Sequence, residues 1–369
     1  MDLHGGNIYR IFRENKIEKV LDYSSNINPF GVPESLKKGI MENMEVLEKY
    51  PDPEYYELRK KFAEYNNAKI ENVLVGNGAT ELIFLYMKVI KPKKVLILSP
   101  TFAEYERGIK SAVPECSIEY FDLDMEKDFI LNVEILKKEL AKKYDLVVMC
   151  NPNNPTGKFI SENEAEDLLL ECDKYETKLF IDEAFIEFVS GGIKSSLIFG
   201  KADKKNLFII RALTKFFAIP GLRLGYALYF DKDLKEKIDK IKEPWSVNAF
   251  AELAGKTLFE DKNYIEKTEK WIEDEKKYMY HELNKIKDLK VYKTDTNFIL
   301  LKSLGSNAKK LREKMLEKGI LIRDASNFKY LDERFIRLAI KDRENNDFVI
   351  KKLKEVLDIG ERDGKENYR

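Results

Sequence analysis

Leu146-Val147-Val148-Met149-Cys150-Asn151-Pro152-Asn153-Asn154-Pro155-Thr156-Gly157 is an unbroken apolar run that stops on a dense Asn/Pro turn. Helical spacing follows from Glu164 to Tyr175, and a second apolar run, Leu179-Phe180-Ile181, ends on Asp182-Glu183. Strand, helix, strand, with strands apolar on both faces, is the repeating unit of a parallel sheet covered by helices. The same reading extends outward. Val73-Leu74-Val75, Val95-Leu96-Ile97-Leu98 and Leu207-Phe208-Ile209-Ile210 are further runs, with a helical pattern from Glu81 to Val89 among them. The fold class is therefore α/β with a mostly parallel sheet. Beyond Gly225-Tyr226-Ala227-Leu228 come charged amphipathic helices, Asp233 to Lys242 and Tyr264 to about Ile286. Strand candidates lie near Val291-Tyr292, from Asn297 to Leu301, and from Phe335 to Ile340. This predicts a smaller α+β C-terminal domain. The expected division is an N-terminal arm over residues 1–30, a large domain over 31–240 and a small domain over 241–369. The arm is rich in Gly, Asn and Pro and is expected to hold little regular structure. Helices are expected from Glu34 to about Leu47 and from Tyr55 to Tyr65, and a frayed tail from Gly360 to Arg369.

Composition narrows the function. Of 369 residues, 44% are apolar and 35% charged, a globular balance rather than a disordered one. Lysine plus arginine equals aspartate plus glutamate at 65 each. A chain without net charge has no global field to hold nucleic acid or an anionic membrane, so any bound anion must meet a local cluster. Cys116, Cys150 and Cys172 are odd in number and widely spaced, matching neither a disulfide framework nor a zinc site. The start, Met1-Asp2-Leu3-His4-Gly5-Gly6, lacks a basic region followed by an apolar core. The expectation is a cytoplasmic protein.

In an open parallel sheet, ligands gather at the carboxyl ends of the strands, and the chemically loaded residues fall there. Gly76-Asn77-Gly78-Ala79-Thr80-Glu81 opens a helix, where free N–H groups and the dipole favour an anion; alone it is also a plain glycine turn. Ser99-Pro100-Thr101-Phe102-Ala103-Glu104-Tyr105 offers aromatics that could stack on a planar ligand or simply pack in the core. The Asn151–Gly157 turn projects amides, and Asp182 closes an apolar strand, where a carboxylate needs a cationic or hydrogen-bonding partner. Last come Arg211-Ala212-Leu213-Thr214-Lys215-Phe216 and Pro220-Gly221-Leu222-Arg223-Leu224-Gly225-Tyr226. A lysine beside aromatics can have a depressed pKa and a nucleophilic amine.

The ordered series GNGATE, SPTFAEY, NPNNPTG, DEAF, LTKF and GLRLGY resembles the pyridoxal-phosphate enzymes of the aspartate aminotransferase fold, in their histidinol-phosphate aminotransferase-like branch. Three further segments look like the decarboxylases of that branch that act on L-threonine O-3-phosphate in cobalamin synthesis. They are His4-Gly5-Gly6-Asn7, Asp22-Tyr23-Ser24-Ser25-Asn26-Ile27-Asn28-Pro29 and Pro244-Trp245-Ser246-Val247-Asn248-Ala249. The resemblance implies pyridoxal 5'-phosphate as cofactor. It implies that Lys215 holds the cofactor covalently and later moves protons at the substrate's Cα. Asp182 would pair with the pyridine nitrogen, Asn154 would bond the ring's 3-oxygen, and Phe102 would stack on the ring. Ala79, Thr80, Thr214 and Arg223 would hold the cofactor phosphate. Tyr50 would reach that phosphate from a neighbouring subunit, making the active unit a homodimer.

The same resemblance bears on the reaction. The bond broken at Cα is the one held perpendicular to the ring, so a decarboxylase must leave the carboxylate free to turn out of plane. Arg323 and Arg337 stand where this branch anchors substrate anions, and the expectation is that one or both of them grip a substrate phosphate with help from His4 and Asn28. Arg323 has a plainer reading as a surface ion pair with Asp324, His4 as a terminal residue, and Trp245 as interface core. Most relatives carry tyrosine three residues after the aspartate; Phe185 stands here and favours the decarboxylase. The alternative is a histidinol-phosphate aminotransferase. A cofactor-sensing transcription regulator on the same fold would carry a basic DNA-binding domain, which a neutral chain opening directly in the arm does not suggest.

Overall fold

The structure, a computed structural model, describes residues 4–16, 18–200 and 204–366, with side-chain surroundings through residue 357. Met1 to Leu3 and the last three residues of the expected tail therefore lie outside the described residues. The strands, in chain order, are β1 (Leu21–Asp22), β2 (Val73–Asn77), β3 (Lys94–Ser99), β4 (Ser117–Asp122), β5 (Leu146–Cys150), β6 (Lys178–Asp182) and β7 (Leu207–Ala212). They continue with β8 (Leu224–Tyr229), β9 (Leu289–Val291), β10 (Phe298–Ser303), β11 (Ile320–Leu321), β12 (Arg323–Asp324) and β13 (Phe335–Ala339).

Seven strands form one sheet in the order β2-β8-β7-β6-β5-β3-β4. All neighbours are parallel except those of β8, which runs antiparallel to both β2 and β7. The sheet is thus mostly parallel, as the apolar runs predict. The two-residue period assigns each strand's side chains to two layers. Leu146, Val148 and Cys150, with Phe180, Phe208 and Ile210, pack under the helices Gly78–Ile90 and Glu104–Ala112. Val147, Met149, Leu179, Ile181, Leu207 and Ile209 face the other layer, with Ala165, Leu168 and Leu169 of the helix Glu162–Lys174. That helix starts on a capping box made by Ser161 and Glu164.

A second sheet, β12-β13-β10-β9, is antiparallel and is covered by the helices Lys262–Leu283, Ala308–Glu317 and Arg343–Glu366. The helix Ala249–Thr257 instead lies against Tyr56–Tyr65, where a Cβ on Gly255 would come within 2.2 Å of Leu58.

Three expectations need correction. The arm carries a helix, Ile8–Asn15, capped by Asn7, and β1 pairs in parallel with β11 of the C-terminal part. The helix expected from Glu34 to Leu47 is α-helical only to Glu42 and then tightens to a 3-10 turn over Met44–Glu48. The last long helix runs through Gly360 to Glu366, so that part of the tail has regular backbone.

Candidate active site

A cavity of about 390 Å³ opens at the carboxyl ends of β2, β3, β5, β6 and β7, and residues of the arm and of β12 and β13 close it. Lys215 stands on its wall, in the short helix Leu213–Phe216 that follows β7 directly. Burial, with the nearby charges of Arg337 and Arg223, draws its amine down to about 8, against the pull of Asp22 and Asp182. Near neutral pH an appreciable fraction of such an amine is uncharged and nucleophilic.

Asp182 ends β6 and is only 5% exposed. Burial pushes its carboxyl up to about 6, and the hydrogen bonds it accepts restrain the rise. Tyr105 donates its hydroxyl to Oδ2 at 2.7 Å, and the Ala184 N–H donates to Oδ1 at 2.8 Å. Tyr105 is a site residue that the sequence reading passed over. It lies inside the quoted SPTFAEY segment, but its contact is 77 residues away and no local pattern announces it.

At one end of the cavity, Ala79 and Thr80 occupy the first turn of the helix Gly78–Ile90, where backbone N–H groups have no intrahelical acceptor. Gly78 has φ of +78°, and a Cβ there would sit 2.5 Å from Nη2 of Arg223, so only glycine lets that guanidinium approach the helix terminus. Thr214 joins them on the lining. This is a phosphate-sized set of donors beside one cation.

Across the cavity, Arg323 on β12 and Arg337 on β13 are register partners, each 5% exposed. Arg337 donates Nη1 to Asn154 Oδ1 and Nη2 to the Ser24 carbonyl at 2.9 Å, while its Nε has no hydrogen-bond partner. Burial and then the charge of Arg323 bring Arg337 down to about 9. Arg323 donates to Asn327 Oδ1 at 2.7 Å and lies over the Phe328 ring. The ion pair with Asp324 that would make it ordinary surface is not among the salt bridges of the described residues; Asp324 instead accepts from Ser326. Phe102 and Phe185 also line the cavity, Phe185 packed edge-on against Phe298. His4 reaches the same space from the arm, its ring 5.3 Å from Phe102.

One residue expected at this chain's own cavity, Asn28, is not among those that line it. Asn28 is buried behind Lys215. Its N–H donates to the Lys215 carbonyl, and its amide donates to the Phe216 carbonyl and Thr268 Oγ1 while accepting from the Phe30 N–H. The side chain's polar atoms are engaged with the lysine's helix, the helix Lys262–Leu283 and the arm rather than with the cavity. Tyr50 is 82% exposed, outside the cavity of its own chain, with its ring 5.1 Å from that of Trp245. Trp245 is 47% exposed and so is not buried core in the single chain.

A family model described as aminotransferase class I and II matches residues 18–353, and the chain belongs to that family. A protein of Caldanaerobacter subterraneus subsp. tengcongensis, provisionally assigned as a threonine-phosphate decarboxylase, is 43% identical over 358 residues, 97% of this chain and 94% of its own. The threonine-phosphate decarboxylase of Salmonella typhimurium is 34% identical over 356 residues, 96% of each chain. Among solved structures, the histidinol-phosphate aminotransferase of Clostridium acetobutylicum aligns with a TM-score of 0.84 at 38% identity, covering 91% of this chain and 99% of that one. The fold is aspartate aminotransferase-like, and the family's cofactor is pyridoxal 5'-phosphate. The residues lining the cavity fit that group: a desolvated amine, a buried carboxylate, an amide, an aromatic face, and helix-terminal donors beside a guanidinium.

Proposed function

We propose that the chain removes the carboxylate of L-threonine O-3-phosphate as CO2, leaving (R)-1-amino-2-propanol O-2-phosphate, the aminopropanol unit of cobalamin. The observation that carries this is the pair of buried guanidiniums, Arg323 and Arg337, side by side in register on the second sheet and lining the same cavity as the Ala79–Thr80 helix terminus of the first. One terminus with Arg223 suits the cofactor phosphate. A second, separate pair of cations is more than a lone carboxylate requires, and suits a dianionic substrate phosphate.

When bound, pyridoxal phosphate supplies an electron sink for the pair left at Cα. The protein's part is position and protons. Ala79, Thr80, Thr214, Arg223 and, from a second subunit, Tyr50 would hold the cofactor's phosphate; Asp182 would pair, ionised, with its pyridine nitrogen; Asn154 would bond its 3-oxygen; Phe102 would cover its face. Lys215 holds the cofactor and returns a proton to Cα once CO2 has left. Arg323 and Arg337, with His4, anchor the substrate phosphate, so nothing pins the carboxylate in the ring plane. Phe185 presents no hydroxyl where a tyrosine would bond the 3-oxygen. The exposed Tyr50 and Trp245 pair supports a homodimer in which Tyr50 completes the partner's site.

The 38% identity to a histidinol-phosphate aminotransferase favours a second reading, amino transfer on the same cofactor. Product analysis separates the two. Holoenzyme given L-threonine O-3-phosphate and no amino acceptor should release CO2 and the amino-alcohol phosphate in equal amounts. No CO2, together with rapid turnover of histidinol phosphate and 2-oxoglutarate, would replace the decarboxylase with the aminotransferase.

A further inference from the structure

Glu104 is the first residue of the helix Glu104–Ala112 and is 4% exposed, yet it lines the cavity that gathers Lys215, Arg223, Arg323 and Arg337. A carboxylate at a helix N-terminus is locally favourable. In a pocket that takes anions it is not, because its charge repels the incoming phosphate and its burial forfeits hydration. Both costs are offset at one atom. Oε1 contacts Nε2 of His4 at 2.7 Å and accepts from Nη1 of Arg107 at 2.6 Å. Arg107 is one turn along the same helix, whereas His4 is 100 residues away, on the arm.

The other end of that arm segment is also fixed. The Gly6 N–H donates to Ser24 Oγ at 2.8 Å, and a Cβ on Gly5 would lie 2.0 Å from the Ser24 carbonyl oxygen. That same carbonyl accepts from Arg337. His4-Gly5-Gly6 is therefore strung between Ser24 and Glu104. His4, Gly5, Ser24 and Arg323 line not only the active-site cavity but also a second one, of about 400 Å³, whose charged lining includes Lys309, Arg312 and Asp324 and the ion pair of Arg10 with Glu14. The strap lines both cavities and so stands between the outer one, of mixed charge with an excess of cations, and the site.

We propose that Glu104 is a positioning residue that latches the N-terminal arm, through His4, across the substrate pocket. Holding Nε2 orients the imidazole over Phe102 and leaves Nδ1 as the ring nitrogen available to a ligand. Releasing the contact joins the two cavities and opens a route for an anionic substrate; remaking it closes the pocket. Glu104 itself touches neither the cofactor phosphate set nor the reacting carbon. The latch rests on the decarboxylase reading only for the identity of the substrate it encloses.

Hydrogen exchange on the holoenzyme tests the latch without reference to any substrate. In Glu104→Ala, a peptide spanning residues 4–11 should exchange about tenfold faster than in the wild type, as expected for losing one hydrogen bond to a charged group. Glu104→Gln keeps an acceptor for His4, and should exchange at close to the wild-type rate. His4→Ala should reproduce the Glu104→Ala effect, and the double variant should be no faster than either single one, because both remove one contact. With L-threonine O-3-phosphate, Glu104→Ala should raise KM about tenfold while kcat changes by less than about threefold. Unchanged arm exchange in both Glu104→Ala and His4→Ala overturns the latch, as does a fall in kcat at constant KM. If Glu104→Ala does not fold, the His4→Ala exchange rate decides alone. A wild-type enzyme that does not decarboxylate phosphothreonine overturns the substrate assignment and leaves the exchange result to judge the latch.

Discussion

Replacing Arg337 by Gln should separate anion binding from folding. In the folded chain its guanidinium is buried and held by two neutral oxygens, those of Asn154 and Ser24, with Nε unpartnered. It stays charged at neutral pH, and the fall from the usual guanidinium range to about 9 expresses what burial and the neighbouring charge of Arg323 cost together. At 1.36 kcal/mol per unit, the cost is up to about 5 kcal/mol, fully present below pH 9 and fading only as the pH rises above it. Glutamine removes the charge and can still donate to one of the two oxygens, but gives up packing against Phe298. Those terms oppose each other, so ligand-free Arg337→Gln should be as stable as wild type or more so, by about 1 kcal/mol. The substrate tells the opposite story. Losing a charge-assisted contact to a dianion in a closed site costs about 2–5 kcal/mol, a fall in kcat/KM for L-threonine O-3-phosphate of roughly thirty- to several-thousandfold. Steady-state kinetics and thermal melts with and without 10 Kd of inorganic phosphate would read both sides. A variant that melts several degrees lower and loses activity in proportion would refute the reasoning, because Arg337 would then be a structural residue.

Borohydride reduction of the yellow holoenzyme, followed by peptide mapping, should place the pyridoxyl label on Lys215, whose amine burial draws down to about 8; a label on any other lysine would move the site. Tyr105→Phe removes the hydroxyl whose hydrogen bond keeps burial from raising Asp182 beyond about 6. Its carboxyl should then titrate about one unit higher, and cofactor binding to cofactor-free protein should fail at correspondingly higher pH; an unmoved acid limb would count against the pairing. Tyr50→Phe should weaken cofactor retention by about fivefold without changing the fold, provided Tyr50 serves the partner subunit. A fully active monomer in sedimentation would contradict that role.

The strand ends were legible because chemistry and fold share them. A continuous apolar run can be seen in sequence, and the residue that stops it is delivered to the sheet's edge; Asp182 is placed by that rule, whereas Lys215, in the short helix after β7, is singled out only by the resemblance. β4 is hidden because an edge strand is half exposed, and Ser-Ile-Glu-Tyr-Phe-Asp alternates instead of running apolar. β8 is hidden for a different reason. Its first residues, Leu224-Gly225-Tyr226, continue the Arg223 segment, and they read as ligand loop although all six positions of the strand are buried. The arm helix Ile8–Asn15 buries only Ile11, so composition outweighs periodicity there. Asn28 shows the limit of resemblance: it finds the right neighbourhood, within one residue's backbone of Lys215, but not the direction in which the amide points.

The site divides its labour along the chain. The amine, the acid, the amide and the first-turn donors come from the seven-stranded sheet and the turns at its carboxyl edge, where register neighbours such as Cys150 and Asp182 fix their spacing. The anion pair comes from the second sheet, and the cover comes from the arm. Proton transfer needs the rigid spacing of the first group, whereas recognition is carried by groups that meet only when the arm, the helix Glu104–Ala112 and β12–β13 converge. Changes of substrate should therefore map to positions 4, 104, 323 and 337, with cofactor binding retained. Changes at 182 or 215 should abolish turnover of every substrate alike. Under the proposed function, that partition would let a chain with 65 positive and 65 negative side chains hold two phosphates: three arginines and one helix terminus, drawn from separate elements, put the field only at this cavity.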